Sequence, residues 1–210
     1  MAHLSAKEIS IGEMFGTASS YAVPLYQRDY DWIAEEQVQE LLDDLINFWK
    51  SEDSDHPYYL LGQIIVAPPS AGPEKWQLID GQQRVTTLLL LLIALYQKFA
   101  DLPEVLNNRA LSNKLAQLNG MLQFSADNDL YPRVRAASNG SDLIEKLIER
   151  SIPEVGEGRT QEKLLGAYQL IQRNLNDSLI GDSEMPSFYD RLVNEVWVVR
   201  LELDDADAAV

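Results

Sequence analysis

Residues 76–99, WQLIDGQQRVTTLLLLLIALYQKF, join a short strand to a long apolar helix through a single sharp turn. Trp76 to Ile79 has the composition of a strand, and Gly81 ends that strand because glycine permits a sharp turn. The helix that follows, from about Arg84 to Phe99, is apolar on nearly every side. A helix of this kind is normally buried, so we expect the strand–turn–helix unit at the centre of the fold.

The rest of the sequence supplies further strands and a set of helices. Strands are predicted at Tyr21–Val23, Tyr58–Ala67 and Trp197–Leu203. Helices are predicted at Ser10–Phe15, Ile33–Trp49, Pro103–Asn119, Asp142–Arg150, Gln161–Leu179 and Ser187–Val196. The pattern predicts an α/β (α+β) fold in which a small mixed sheet surrounds a central buried helix. We expect a core domain at residues 1–100, a helical subdomain at 101–196, and a strand at 197–210 that returns to the core before the truncated start of a further helix.

The turn concentrates polar groups at the start of the buried helix. The free N–H groups and the dipole of a helix start favour an anion, and Arg84 adds a permanent charge suited to forked contact with phosphate. Gly81 allows close backbone approach. Gln82 and Gln83 add neutral donors, and Thr86 and Thr87 add hydroxyls. Asp80, at the end of the strand, would hold a metal ion, polarise a water or orient Arg84. The alternative is a rigid corner in which Asp80 caps the helix and Arg84 pairs with it.

A second polar motif lies between Pro24 and Trp32. Gln27 and Arg28 are expected to close over the same anion. The aromatic residues either pack on a base or sugar, or are anchored in the core: Tyr26, Tyr30 and Trp32. In the second case Arg28 would pair with Asp29 or Asp31.

A glycine also lies inside the predicted strand at residues 58–67. A glycine within a strand often marks the close approach of a ligand or of another backbone. Gly62 serves either that purpose or the simpler one of leaving room for Trp76 on the neighbouring strand.

The net charge argues against one class of function. The chain has 33 acidic and 17 basic residues, which gives a formal charge of −16. Duplex DNA is itself a polyanion, so nonspecific contacts to its phosphates are not expected. A local basic pocket is compatible with this charge. We expect any DNA to be held by another part of the protein or by a partner.

The sequence also argues against thiol, histidine and membrane chemistry. There are no cysteines, which excludes disulfides and thiolate zinc sites. The two histidines, His3 and His56, do not form a metal-ligand pattern. No signal peptide is evident, and the apolar run from Val85 to Phe99 is too short to span a bilayer, which needs about 20 residues. We expect a soluble, cytoplasmic protein with no membrane partner.

Three segments resemble the N-terminal domain of GmrSD-type restriction proteins, which are modification-dependent (type IV) DNA defence systems. The segments are VPLYQRDYDW, LGQIIV and LIDGQQRVTTLLLLLIAL. The resemblance is close over about the first hundred residues, whereas the remainder is similar only in being predominantly helical. That family is similar in its core to the ParB/sulfiredoxin group, in which a Gly-x-x-Arg turn leading into a helix grips nucleotide phosphates. Gly81 and Arg84 occupy the matching positions.

The resemblance implies a domain that binds and hydrolyses a nucleoside triphosphate (NTP). This activity would regulate or power the cleavage of modified DNA by a separate C-terminal nuclease domain of the His-Asn-His type or by a partner subunit, so that DNA is contacted indirectly. No such nuclease signature is present in this sequence. The resemblance also implies a Phe-Glu…Asn…Gly segment shortly after Val210. The family's chemistry carries over to Gln27, Arg28, Asp80, Gly81, Gln82, Gln83 and Arg84.

Within that framework, each site residue has an expected role. Arg84 and the helix start hold the β and γ phosphates, while Arg28 stabilises developing charge. Asp80 coordinates Mg²⁺, the sole cofactor expected. One of the glutamines places the attacking water: Gln27, Gln82 or Gln83. The alternatives are a module without turnover, which senses a nucleotide or DNA and gates a nuclease elsewhere, and a structural half of a defence assembly.

Overall fold

The computed structural model describes residues 4–16, 19–51, 57–69, 72–136, 140–151, 158–176 and 180–204. These residues form the mixed α/β fold that the sequence predicts. The strands are β1 (Leu4–Ser10), β2 (Tyr21–Ala22), β3 (Tyr59–Ala67), β4 (Trp76–Asp80), β5 (Gln123–Ala126), β6 (Asp129–Pro132), β7 (Val134–Arg135) and β8 (Val196–Leu203). The helices are α1 (Ile11–Met14), α2 (Gln39–Lys50), α3 (Gln82–Ala100), α4 (Arg109–Leu122), α5 (Gly140–Ile148), α6 (Arg159–Asn176) and α7 (Met185–Glu195).

Six of these strands form one mixed sheet in the order β1-β8-β3-β4-β2-β7. β8 lies between β1, with which it is antiparallel, and β3, with which it is parallel. The prediction that residues 197–203 return to the sheet is therefore confirmed. β3 and β4 are antiparallel neighbours, and β4 leads directly into α3. This connection places the start of α3 at the end of a central strand.

α3 is the centre of the hydrophobic core, as its composition predicts. Every residue from Val85 to Leu95 is buried. The core around it is one cluster that includes Leu42 from α2, Ile171 from α6 and Phe188 from α7. Burial of an apolar side chain of this size contributes about 1.5–3 kcal/mol, so α3 is fixed firmly in position. The division into domains at residues 100 and 196 stays a prediction.

The unpredicted β elements are β1, the hairpin of β5 and β6, and the two-residue strand β7. The sequence indicates no element at residues 4–9, which form most of β1, and five of the seven residues of this strand are exposed. A polar edge strand lacks the apolar alternation on which strand prediction depends. The antiparallel hairpin of β5 and β6 turns at Asp127 and Asn128, which have φ values of 52° and 69°. Two consecutive residues with positive φ suit a two-residue hairpin turn, for which Asn and Asp are favoured.

Two predicted helices begin differently from expectation. The helix predicted at 103–119 divides into a 3₁₀ turn at Pro103–Leu106 and α4. Asn108 separates them because its side chain accepts hydrogen bonds from the N–H groups of Ala110 and Leu111, which makes it the N-cap of α4. The helix predicted at 33–49 begins with a π-helical turn, Ala34–Val38, before α2.

Some predictions concern residues outside the described ranges. These are the placement of His3 and His56 and the start of a helix at 205–210. Among the helices that the structure describes, none is long and apolar enough to cross a membrane.

Candidate functional site: a cleft at the start of α3

An open cleft of about 400 Å³ lies where β4 ends and α3 begins. Its lining residues come from the two predicted motifs and from β3: Gln27, Arg28, Trp32, Gln63, Asp80, Gly81, Gln82, Gln83 and Arg84. The structure therefore brings together all the predicted site residues except Thr86 and Thr87.

Gly81 is the N-cap residue of α3 and needs to be glycine for two reasons. Its φ of 85° lies in the left-handed region, which side-chain-bearing residues rarely adopt. An added Cβ would also lie 2.8 Å from Cγ2 of Ile64 on β3. The close approach of β3 and the turn thus depends on the missing side chain.

Asp80 does not act as the predicted helix cap. Its Oδ1 accepts a hydrogen bond of 2.8 Å from the N–H of Gly81, the N-cap residue itself. Among the described residues, no side chain caps the first turn of α3 and no carboxylate pairs with Arg84. The alternative of a rigid Asp80–Arg84 corner is therefore wrong. The residues that carry the first N–H groups of α3 line the cleft, and these N–H groups have no side-chain partner among the described residues.

Arg84 is half-buried and makes a single hydrogen bond within the described residues. Its Nη1 donates to the backbone oxygen of Gln63 over 3.2 Å. Gly62 gives the guanidinium space, because an added Cβ there would lie 3.3 Å from Nη1 of Arg84. Gly62 therefore makes room for Arg84 and not for Trp76. Most of the five donors of Arg84 are available to a ligand.

Gln82 and Gln83 hold the second motif against α3. The Nε2 atom of Gln82 donates to the backbone oxygen of Arg28 over 2.9 Å. Gln83 donates to the backbone oxygen of Asp29 over 3.0 Å and accepts from the N–H of Asp31 over 2.8 Å. Gln83 thus uses both ends of its amide to position the segment. The Oε1 of Gln82 is buried and has no hydrogen-bond partner among the described residues.

Two further contacts fix the same segment. Gln27 donates from Nε2 to the backbone oxygen of Ile79 over 2.8 Å. The hydroxyls of Tyr30 and Thr87 lie 2.7 Å apart, and Thr87 also donates to the backbone oxygen of Gln83 over 2.9 Å. Burial raises the pKa of Tyr30 well above its ordinary value, so the hydroxyl stays neutral. The segment is therefore held by hydrogen bonds along its length.

The two threonines lie outside the cleft. Thr87 is completely buried, and its hydroxyl is engaged with Tyr30. Thr86 is also buried and lines a separate space of about 10 Å³. That space has no room for a nucleotide, and neither threonine lines the cleft.

Arg28 is exposed, and the structure describes no ion pair between it and Asp29 or Asp31, the two aspartates that follow it. Asp31 forms ion pairs with Lys163 and Arg159 of α6, and Asp29 accepts a hydrogen bond from Thr160 over 3.0 Å. The hydrogen bond and charge of Lys163 lower the pKa of the Asp31 carboxyl below its ordinary value. The alternative in which Arg28 pairs with Asp29 or Asp31 is wrong, and its guanidinium faces the cleft without an ion pair to any carboxylate that the structure describes.

The three aromatic residues of the motif have different environments. Tyr30 is buried, as the core-anchoring interpretation predicts. Trp32 packs against the core and also lines the cleft. Tyr26, in contrast, is 64% exposed and is not anchored in the core.

Among the described residues that line the cleft, Asp80 is the only one with a carboxylate. The described residues contain no group of three or more metal-ligating side chains. Mg²⁺ in nucleotide sites is bound by one or two carboxylates together with substrate phosphates and water, so a single aspartate fits that mode. The cleft fits a magnesium ion that arrives with a phosphate ligand, not a metal held by the protein alone.

These features define a mixed α/β domain in which two arginines, Arg28 and Arg84, line a cleft at the start of a buried helix. The family model described as GmrSD restriction endonuclease, N-terminal domain, matches residues 11–209, and the chain belongs to this family. The match extends through the helical half, beyond the segments that carry the sequence resemblance. The chain is thus part of a restriction endonuclease and of a DNA restriction system. A comparison with curated proteins finds no match.

Proposed function

We propose that the cleft binds the triphosphate of an NTP together with Mg²⁺, and that this domain hydrolyses the NTP to regulate or power DNA restriction against phage. One observation carries the proposal. Arg28 and Arg84 face the same cleft, and neither forms an ion pair with a described carboxylate although the chain carries a net charge of −16. Two guanidiniums without ion pairs, beside a helix N-terminus whose N–H groups no described side chain caps, are suited to a polyanionic ligand.

The arginines have separate roles in this proposal. Arg84 is fixed at the first turn of α3, so it and the nearby backbone N–H groups hold the β and γ phosphates. Arg28 lies on the opposite motif and stabilises the charge that develops on the transferred phosphoryl group. Trp32 lines the cleft and offers an apolar surface to the sugar or base.

Asp80 and Gln27 complete the proposed chemistry. Mg²⁺, when bound, neutralises phosphate charge, and Asp80 is the side chain that would hold it. Gln82 donates through Nε2 to the backbone oxygen of Arg28 and so positions that residue, while its own Oε1 is buried away from the cleft. Gln27 lines the cleft and is held by its hydrogen bond to the backbone oxygen of Ile79, so it is the candidate for orienting the attacking water. Gln83 supports the site through its contacts with the segment, since both ends of its amide are engaged.

DNA cleavage belongs to another part of the system in this proposal. A separate nuclease domain or partner subunit cuts the DNA, and the nucleotide state of this domain controls that step. The net charge of −16 supports indirect contact, because an acidic surface repels the DNA backbone.

Asp80→Asn tests the proposal through its dependence on magnesium. The wild-type chain is expected to bind NTP and to release phosphate in the presence of Mg²⁺. The variant should keep its affinity in EDTA and lose about 100-fold in the rate of phosphate release, since one fixed electrostatic contact is removed. Fluorescent-NTP titration and a phosphate assay measure the two quantities.

Asp129→Asn is the matched control, because Asp129 is an exposed aspartate of β6 outside the cleft. Equal phosphate release in both variants would contradict the role of Asp80. Binding without phosphate release in the wild-type chain would favour a sensing module over an enzyme. A wild-type chain that binds no NTP would overturn the proposed function.

A further inference from the structure

The start of α6 contacts Asp29 and Asp31, the two aspartates that follow Arg28 in sequence. Lys163 binds both the carboxylate of Asp31 and its backbone oxygen, the latter over 2.8 Å. Arg159 lies 3.8 Å from the same carboxylate. Thr160 donates to Oδ2 of Asp29 over 3.0 Å. α6 therefore provides partners for both carboxylates nearest to Arg28 along the chain.

These contacts have a consequence for Arg28. A guanidinium and a carboxylate within reach of each other readily form a two-point ion pair, which would neutralise the arginine and occupy its donors. Arg28 already lies near enough to lower the pKa of Asp31, although Lys163 has the larger effect. The partners from α6 compete with Arg28 for these carboxylates.

We propose that Lys163 is a positioning residue of the nucleotide site, which keeps the Asp31 carboxylate away from Arg28 and so leaves Arg28 available to the phosphates. Thr160 has the corresponding effect on Asp29. The inference rests on the proposed function. It also links the helical half of the chain to the cleft, because any movement of the start of α6 would release a carboxylate beside Arg28.

The Lys163–Asp31 pair is sheltered enough to act in this way. Only 18% of the Lys163 side chain is exposed, against 50% for Asp31. A partly buried pair is screened less by salt than a fully exposed one. The segment is also held by Gln82 and Gln83, so loss of Lys163 should free the carboxylate without releasing the backbone.

Lys163→Met tests the inference by removing the charge while keeping a long side chain. We expect about tenfold weaker NTP binding, since Asp31 loses its closest partner and pairs with Arg28, against only the longer 3.8 Å contact to Arg159. The double variant Lys163→Met with Asp31→Asn should recover most of the affinity, because the competing carboxylate is gone. A merely structural role of Lys163 would predict no such recovery.

Lys114→Met is the matched control. Lys114 forms an ion pair with Asp190 outside the cleft, and the exposed fractions of the two side chains are 20% and 51%. The Lys114→Met variant should bind NTP with the same affinity as the wild-type chain. Wild-type affinity in Lys163→Met, or a loss that Asp31→Asn fails to restore, would overturn the inference alone. Absence of binding in the wild-type chain would instead overturn the proposed function and, with it, this inference.

Discussion

Arg84→Ala is expected to weaken NTP binding about 30-fold, which corresponds to a loss of about 2 kcal/mol. The guanidinium is half-buried and lies at the first turn of α3, and within the described part of the chain its single hydrogen bond is to the backbone oxygen of Gln63. Its charge is therefore available to phosphate. Titration of each protein with a fluorescent NTP and Mg²⁺ measures the effect.

Arg109→Ala serves as the control for this substitution. Arg109 is an exposed arginine at the start of α4, so its loss changes the net charge equally without touching the cleft. Its affinity for NTP should equal that of the wild-type chain. Arg84→Ala should also melt close to the wild-type temperature, because a surface hydrogen bond contributes little to stability. Equal NTP affinity in the two variants would contradict the phosphate role of Arg84, and a large loss of stability in Arg84→Ala would favour the structural interpretation.

Gly81→Ala is expected to lower the free energy of unfolding by about 2–5 kcal/mol. A left-handed conformation costs a residue with a side chain about 1–2 kcal/mol. The new Cβ would also lie 2.8 Å from Cγ2 of Ile64, and such overpacking costs about 1–3 kcal/mol. Urea unfolding followed by circular dichroism measures the change.

Gly120→Ala is the matched comparison for Gly81→Ala. Gly120 lies in α4, and no atom is within 4 Å of the position that an added Cβ would take. Alanine in a helix is favoured over glycine by about 1 kcal/mol, so this variant should be as stable as the wild-type chain or more so. If the two substitutions changed stability equally, the tight contact between the turn and β3 would not be the cause.

The parts of the fold that local sequence determines were predicted. The apolar composition of residues 88–95 indicates a buried helix, and Gly81 marks the turn before it. The alternation in residues 197–203 predicts a strand that joins the sheet. β1 could not be recognised in this way, because its stability comes from pairing with β8 and not from an apolar pattern of its own.

The candidate site was predicted in its location but not in all its contacts. The sequence indicates that Gln82 and Gln83 are polar groups at a helix start, yet not that their amides bind a segment 54 residues earlier in the chain. The contact between Lys163 and Asp31 spans 132 residues and has no sequence motif. Such partners are set by how α6 packs beside α3, which depends on the whole core.

A crystal structure with a non-hydrolysable NTP and Mg²⁺ tests the central claim most directly. We predict that the phosphates lie in the cleft, within hydrogen-bond distance of the Arg84 guanidinium and of the backbone N–H groups of Gln82 and Gln83. A nucleotide bound elsewhere, with Arg84 still donating to the backbone oxygen of Gln63, would contradict the claim.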